Sequence, residues 1–182
     1  MEYWDVYDVH RRPLGKLHLR GKPMPHGEYH LIVFVWVVNS AGQLLLTKRS
    51  PEKEHYPNLW ENTGGAVLAG ETSRQGIRRE LLEETGYAVK PLRLSGIYER
   101  ISCSRDDGQC HKIYFIFLCR LISGNRLAPT ETDRFQLGTE WIPLSEVAGR
   151  NLFPRAIRDN LKSLTGYGET IFIGSEKEKG FI

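Results

Sequence analysis

Cysteine is scarce in this 182-residue chain, and no apolar run is long enough to cross a membrane. The three cysteines, Cys103, Cys110 and Cys119, are odd in number and lack the C-x-x-C spacing of typical zinc sites. They argue against a disulfide framework and suit a reducing compartment. A bilayer-spanning helix needs about 20 apolar residues, and the opening Met-Glu-Tyr-Trp-Asp lacks the pattern of a secretory signal. We therefore expect a cytoplasmic protein without a membrane partner.

The chain also lacks a strong excess of charge of one sign. Its 25 lysines and arginines against 22 aspartates and glutamates give a net charge of +3, which is too small to favour nucleic acid or an anionic surface. Since no separate basic arm or aromatic platform for RNA is evident, we expect no nucleic-acid partner. The hydrophobic content of 40% is ordinary, and the length suits one domain with a real core.

The pattern of strands and turns predicts a single α/β or α+β domain over residues 1–182. Aromatic and β-branched residues on either side of a Pro-Gly turn predict an N-terminal β-hairpin extension over residues 1–20. Further strands are predicted at 30–38, 43–48, 92–100, 111–121 and 139–142, with a closing helix at 154–164 and a loosely ordered polar tail at 175–182. Mixed strands with two separated helices predict a layered sandwich in which a mixed sheet lies between helices.

A short helix is predicted between residues 73 and 85. Thr72 can cap its first turn, and Gln75 follows three residues later, as in a capping box. Gly86 suits the left-handed conformation that commonly ends a helix. The boundaries of this helix are therefore marked at both ends.

Three glutamates, Glu80, Glu83 and Glu84, come near the C-terminal end of this predicted helix. Residues at i, i+3 and i+4 share one helical face, so the three carboxylates repel one another. They also lie near the negative end of the helix dipole, where anions are disfavoured. A hard divalent cation would offset both effects. The alternative is a solvated surface on which the glutamates pair with arginines of the same helix.

Residues 65–87 resemble the Nudix box, G-x5-E-x7-R-E-U-x-E-E-x-G-U, in which U is a bulky apolar residue. Every fixed position of that pattern is matched, and Tyr87 at the final U is aromatic rather than aliphatic. The resemblance implies the Nudix fold. It also implies hydrolysis of the diphosphate bond in a small molecule, namely a nucleoside diphosphate linked to another moiety.

The resemblance also implies a metal site. Glu80 and Glu84 would be the principal ligands of Mg²⁺ or Mn²⁺ and Glu83 a third, with a backbone carbonyl of Gly64 or Gly65 completing the shell. Such a metal neutralises the diphosphate and lowers the pKa of a bound water. Glu80 and Glu83 are thereby catalytic candidates as well as ligands.

Other residues of the box are expected to be structural. Glu71 and Arg79 resemble the pair that holds the box loop against its helix in this family, and Gly86 ends the helix. None of the three is expected to act directly on the substrate.

A general base is expected from outside the box. By resemblance it would come from a later loop, where Glu131 is the first candidate, with Glu140 and Glu99 as alternatives. Each of these is also a plausible surface carboxylate. Arg49 ends a strand beside the loop that leads to the box, so it is a candidate for binding substrate phosphate and equally for a solvated charge.

The N-terminal half resembles a narrower branch, the isopentenyl diphosphate isomerase-like Nudix proteins. The matching stretches are 7–9, 27–31, 36–39, 44–50 and 60–63. This resemblance raises isomerisation of a prenyl diphosphate as the alternative function. The isomerase needs a cysteine just after its Asn-Thr element and a nearby histidine, whereas here Gly64 and Gly65 follow Asn62-Thr63. Without that acid–base pair hydrolysis is favoured, and His30, which aligns with a metal-binding histidine of the isomerase, lacks its partner.

Two points remain open at the level of sequence. A Nudix-fold binding module without turnover is a third function, but such modules usually lose the box glutamates that this chain keeps. A homodimer is common in the family, and the hairpin of residues 1–20 offers an interface by that analogy alone. The loops outside the box do not identify the substrate.

Overall fold

The computed structural model describes residues 1–53, 56–104, 108–130 and 135–178, which form three β-sheets and four short helices. The strands are β1 (Tyr3–Tyr7), β2 (Pro13–Leu19), β3 (Leu31–Val37), β4 (Gln43–Arg49), β5 (Trp60–Glu61), β6 (Gly64–Ala66), β7 (Tyr87–Ser104), β8 (Gly108–Arg126), β9 (Gln136–Pro143), β10 (Leu152–Phe153) and β11 (Ile171–Glu178). The helices are α1 (Ser73–Thr85), α2 (Leu144–Val147), α3 (Arg155–Asp159) and α4 (Leu161–Thr165). None of these helices has the length and hydrophobicity to cross a membrane.

The two larger sheets are both mixed. One has five strands in the order β11-β7-β8-β3-β6, and the other has four in the order β10-β5-β4-β9. Strand β3 runs parallel to β8 and antiparallel to β6, and β10 runs parallel to β5. Strands β1 and β2 form the predicted N-terminal hairpin. The chain passes from the four-stranded to the five-stranded sheet between β5 and β6.

Strand β3 is the centre of the core, because it is covered on both faces. Val33, Val35 and Val37 pack on the side of α1, whereas Phe34 and Trp36 point to the four-stranded sheet and the later helices. Two-sided burial explains why this strand is a continuous apolar run rather than an alternating one.

Helix α1 covers one face of the five-stranded sheet. Its residues Ile77 and Leu81 are fully buried there. The opposite face packs against the four-stranded sheet and α2 to α4, in one apolar cluster. The predicted α+β sandwich is confirmed. On one face of the five-stranded sheet, the covering layer contains the four-stranded sheet as well as helices.

The closing helix predicted at 154–164 is wrong as a single element. It is divided into α3 and α4 at Asn160, which has a φ of −107° and so leaves the helical range. The Asn160 side chain donates to the carbonyl of Ala156 at 2.9 Å. Side-chain bonds of this kind compete with the helical backbone pattern.

The loosely ordered polar tail predicted from residue 175 is wrong for its first four residues. Residues 175–178 belong to β11, which pairs in parallel with β7. The Ser175 hydroxyl donates to Glu99 on that strand at 2.7 Å. Pairing with β7 satisfies the backbone hydrogen bonds of this segment, so a polar sequence can be part of the sheet. Residues 179–182 lie outside the described part of the chain.

The strands predicted at 92–100 and 111–121 are longer than expected. They are β7 and β8, which pair in antiparallel register from Tyr87 with Arg126 to Ser104 with Gly108. The partner strand continues the ladder of hydrogen bonds past the apolar centre. The apolar pattern alone marks only that centre.

Candidate active site

Helix α1 begins and ends where the sequence predicts. The Thr72 hydroxyl accepts from the backbone N–H of Gln75 at 3.3 Å, and the Gln75 side chain accepts from the N–H of Thr72 at 2.8 Å. Gly86 ends the helix with a φ of 73°. A side chain there would also collide with the backbone of Leu127. The carbonyl of Thr85, the last residue of the helix, accepts a hydrogen bond from Arg126 at 2.8 Å.

The side chain of Arg79 forms the centre of the box. It binds both carboxylate oxygens of Glu71, at 2.8 and 3.0 Å, and donates to the carbonyl of Ala66 at 3.0 Å. The same guanidinium donates to Glu80 at 3.0 Å and to Glu83 at 3.1 Å. The bidentate pair holds the box loop against the helix, which is the geometry expected for Glu71 and Arg79 as structural residues.

Two carboxylates bound to Arg79 have pKa values that are shifted in opposite directions. Partial burial would raise the pKa of Glu71, but hydrogen bonds from Arg79 and from the N–H of Leu68 lower it below its usual value. Burial raises the pKa of Glu80 even though Arg79 is adjacent. At Glu80 the effect of burial therefore outweighs the attraction of Arg79.

A side chain is excluded at each of the two glycines of β6 for a different reason. A Cβ at Gly64 would collide with the carbonyl of Val33 and come within 2.6 Å of the Phe34 ring. A Cβ at Gly65 would collide with the carboxylate of Glu80. The space that a side chain would fill at Gly65 is thus taken by a carboxylate of the box.

The donor set suits a hard divalent cation, although the ligands are not gathered around one point. Carboxylate oxygens and a backbone carbonyl are what Mg²⁺ and Mn²⁺ prefer, and the glycine cradle brings Glu80 against the backbone of Gly65. In the described residues, no three acidic, histidine or cysteine side chains converge as a ready metal site. The reason is that Glu80 and Glu83 bind Arg79 instead, so a cation would have to share or replace those contacts.

A polar cavity of about 230 Å³ lies beside the glycines and the end of α1. The side chains that line it come from both large sheets and from α1. They are Phe34, Arg49, Lys53, Glu61, Asn62, Gly64, Glu84 and Gln136. Arg49 forms an ion pair with Glu61 and donates from Nε to the carbonyl of Tyr56 at 2.9 Å. The cavity therefore brings together two cations, two carboxylates and two amides.

The predicted site residues fall into two groups. Gly64, Glu84 and Arg49 line the cavity, whereas Glu80 and Glu83 are bound to Arg79 next to it. This arrangement brings one box glutamate and one predicted phosphate-binding residue to the same space.

The candidates for the general base lie elsewhere. Glu140 is exposed on β9, and Glu99 accepts a hydrogen bond from Ser175, so neither lines the cavity. Glu131 lies outside the described residues. The N–H of the preceding Thr130, the last described residue before it, donates to the carbonyl of Glu83 at 3.0 Å.

Sequence reasoning missed five residues of the cavity: Phe34, Lys53, Glu61, Asn62 and Gln136. Glu61 and Asn62 lie between Trp60 and Thr63, just ahead of the glycines, and that position could have identified them. Lys53 lies in the loop after β4, and Gln136 is brought to the cavity by its pairing with Arg49 on β4.

His30 and Cys119 are both placed away from this chemistry. The His30 ring stacks on Trp4 of the N-terminal hairpin, with 4.0 Å between ring centroids, and burial lowers its pKa to about 4. Cys119 is buried in the core beside α1, and burial raises the pKa of its thiol to about 12. A neutral buried thiol of this kind is a poor nucleophile.

Comparison with known proteins relates this geometry to a family. The NUDIX domain model matches residues 28–162. An uncharacterised Nudix hydrolase of Listeria monocytogenes is 40% identical over 109 residues, which are 59% of this chain and 63% of that protein. An isopentenyl-diphosphate Δ-isomerase of Mycolicibacterium vanbaalenii is 25% identical over 147 residues, 80% of this chain and 76% of that protein.

A structural comparison agrees with the sequence match. The structure of a NUDIX hydrolase from Nitrosomonas europaea shares the fold, with a TM-score of 0.60 at 20% identity, over 74% of this chain and 87% of that one. The chain spans about half to two thirds of the length of the Listeria relatives that it matches. On the box geometry, the family match and the fold together, this chain belongs to the NUDIX family.

Proposed function

We propose that this protein hydrolyses a diphosphate bond, with Mg²⁺ or Mn²⁺, in a nucleoside diphosphate linked to another moiety. The observation that carries the proposal is the meeting of Glu84 with Arg49 and Lys53 in one cavity. A diphosphate needs cationic partners, and its hydrolysis needs carboxylates that can hold a divalent ion beside it.

Glu80, Glu83 and Glu84 would hold the metal, with a carbonyl of Gly64 or Gly65. When bound, the metal supplies charge neutralisation at the phosphates and a more acidic water. Glu80 is positioned for this by the glycine at position 65, which leaves room for its carboxylate.

Substrate binding would fall to the cations of the cavity. Arg49 is held in place by its ion pair with Glu61 and by the carbonyl of Tyr56, so its guanidinium is oriented before substrate arrives. Lys53 adds a second positive charge on the same wall. A cavity of about 230 Å³ has roughly the volume of eight water molecules. That volume suits the diphosphate, and the attached groups would extend outside.

The proton of the attacking water requires a base. Glu131 remains the proposed base, because Thr130 beside it is bonded to the backbone of Glu83. In the proposed reaction the water oxygen bonds to one phosphorus, the bridging P–O bond breaks, and the base takes the proton.

Isomerisation is the weaker alternative, despite the similarity to an isopentenyl-diphosphate isomerase. Moving a double bond requires one group to give a proton and another to remove one. Within the described part of the chain, the side chains that line the cavity include neither cysteine nor histidine.

The direct test is a substrate panel in ¹⁸O-labelled water with Mg²⁺ or Mn²⁺. The panel contains nucleoside diphosphate sugars, dinucleoside polyphosphates, nucleoside triphosphates and isopentenyl diphosphate. Mass spectrometry and ³¹P NMR identify the products and the phosphorus that received the labelled oxygen. We expect two phosphorylated products from at least one nucleotide, loss of turnover with a chelator, and no isomer.

The controls separate the enzyme from contaminants. E84Q, purified in parallel, should lose most of its activity on the same panel. Equal activity of E84Q and wild type would contradict the metal site. Conversion of isopentenyl to dimethylallyl diphosphate would favour the isomerase instead.

A further inference from the structure

Asn62 lies at the point where the chain crosses between the two large sheets, after β5 and before β6. It is 2% exposed and lines the polar cavity. Neither its Oδ1 nor its Nδ2 has a hydrogen-bond partner among the described residues. Since both ends of the amide lack a partner, this observation does not depend on which way the amide is turned.

A buried amide without partners is unusual, and the adjacent residue shows the ordinary case. Thr63 is also 2% exposed, but its hydroxyl lies 3.3 Å from that of the buried Thr47. Burying a polar group without a partner destabilises a fold, and an apolar residue of the same shape avoids that cost. Packing alone therefore favours leucine over asparagine at position 62.

The surroundings of Asn62 indicate what would satisfy it. Arg49 and Lys53 line the same cavity and are the cationic groups that a phosphate would contact, while Arg49 also pairs with Glu61 and Glu84 completes the charged lining. The side-chain amide turns about a soft terminal torsion, so it can rotate into the cavity at little cost. A phosphate group that enters offers acceptor oxygens to Nδ2, and water carried with it offers a donor to Oδ1.

We propose that Asn62 is a substrate-contacting residue that binds the phosphate group next to Glu84. The inference rests on the proposed diphosphate chemistry and adds to it a neutral donor that no box residue supplies. The buried amide is less stable in the free protein and gains its hydrogen bonds on binding. A residue of this kind contributes to affinity at the expense of stability.

The test uses methylenediphosphonate, a diphosphate analogue that water does not cleave, in the presence of Mg²⁺. Binding is measured by calorimetry on wild type, N62L, N62D and T47V, and melting temperature is measured without ligand. T47V is the matched control, because it removes a buried hydroxyl that has a partner and lies outside the cavity lining.

For N62L we expect a melting temperature equal to or above that of wild type and an affinity lower by roughly tenfold or more. N62D, which exchanges the donor for a negative charge, should lose at least as much affinity. T47V should melt roughly 2–6 °C lower than wild type and bind the analogue unchanged. A structural role for Asn62 would give the opposite pattern, namely a lower melting temperature and unchanged affinity for N62L.

The outcomes distinguish this inference from the proposed function. If N62L and N62D bind the analogue as tightly as wild type does, the inference is wrong even where wild type hydrolyses nucleotides. The same holds if wild type does not bind the analogue at millimolar concentration. If Asn62 governs binding while no panel nucleotide is cleaved, the phosphate contact stands and the proposed hydrolysis fails.

Discussion

Two arginines near the glycine pair stand in different kinds of surroundings. Arg79 binds Glu71 and other groups that all lie between residues 66 and 83, within one stretch of chain. Arg49 pairs with Glu61, which lies on a neighbouring strand, in a cavity lined by residues from several distant segments. The first centre is a scaffold encoded locally. The second exists only after both sheets have formed, and it is where we place substrate binding.

The largest effect is expected where the two centres meet, at Glu84. E84Q removes a negative charge with almost no change in shape, so turnover should fall by roughly a hundred- to a thousandfold. The melting temperature should change little. Steady-state kinetics on the nucleotide found by the panel measures the loss. E140Q, on the exposed face of β9, is the control and should keep wild-type turnover.

Breaking the local scaffold should act on stability. R79M removes the partner of Glu71, Glu80 and Glu83, whose carboxylates would then be left close together and partly buried. The side chains of the Arg79–Glu71 pair are about a fifth exposed, so we expect a loss of about 2–3 kcal/mol in the free energy of unfolding.

Urea denaturation measures that loss. R78M, which removes an exposed arginine from the next position on the same helix, should change the free energy of unfolding by less than about 0.5 kcal/mol. If R79M were no less stable than R78M, the Arg79 cluster would not be the scaffold of the box.

Adding one methyl group at Gly64 and at Gly65 distinguishes an effect on stability from an effect on the site. In G64A the new Cβ meets the backbone of Val33, which cannot move away, so stability should fall by about 1–3 kcal/mol. In G65A it meets the flexible end of Glu80, so the melting temperature should fall less and turnover by about tenfold. Thermal melts and kinetics on both variants test the contrast. Equal melting temperatures for the two variants would contradict it.

The smallest effect should come from outside both centres, at His30. Its pKa is lowered to about 4 by burial and by the positive charges of Lys112 and His18, against 6.5 for an ordinary histidine. At pH values between about 4 and 6.5, His30 therefore carries a proton in the unfolded chain but not in the folded chain. The free energy of unfolding falls as the pH is lowered through this range.

From pH 7 to pH 5 this single group should remove about 2 kcal/mol from the free energy of unfolding. H30F keeps an aromatic ring against Trp4 and should lose that much less over the same range. H26Q, which removes an exposed histidine, is measured in parallel as the control for a histidine substitution. Identical pH profiles for H30F and wild type would show that His30 is not buried in its neutral form.

The features that could be predicted from the sequence are mostly the local ones around Arg79, and those that could not are mostly in the cavity around Arg49. Helix α1 and its capping box were predictable, because both depend on residues within a few turns of one another. The Glu71–Arg79 pair followed from the resemblance to the Nudix box. The cavity was not predictable, since it depends on segments far apart in the sequence, such as Arg49 on β4 and Gln136 on β9, which are brought together by strand pairing. The division at Asn160 was missed because a side-chain bond to Ala156 outweighed helical periodicity.

The N-terminal hairpin has a consequence for the order in which the chain assembles. It lies ahead of the residues that match the family model, yet Tyr3 and Asp5 accept hydrogen bonds from Ala69 and Gly70, both at 2.8 Å. Contacts between residues some 65 positions apart close a large loop, so they form late in folding and open early. The hairpin would then dock onto the box loop only after the box has folded. Native-state hydrogen exchange tests this: the amides of Ala69 and Gly70 should exchange earlier than those of α1, and simultaneous exchange would contradict it.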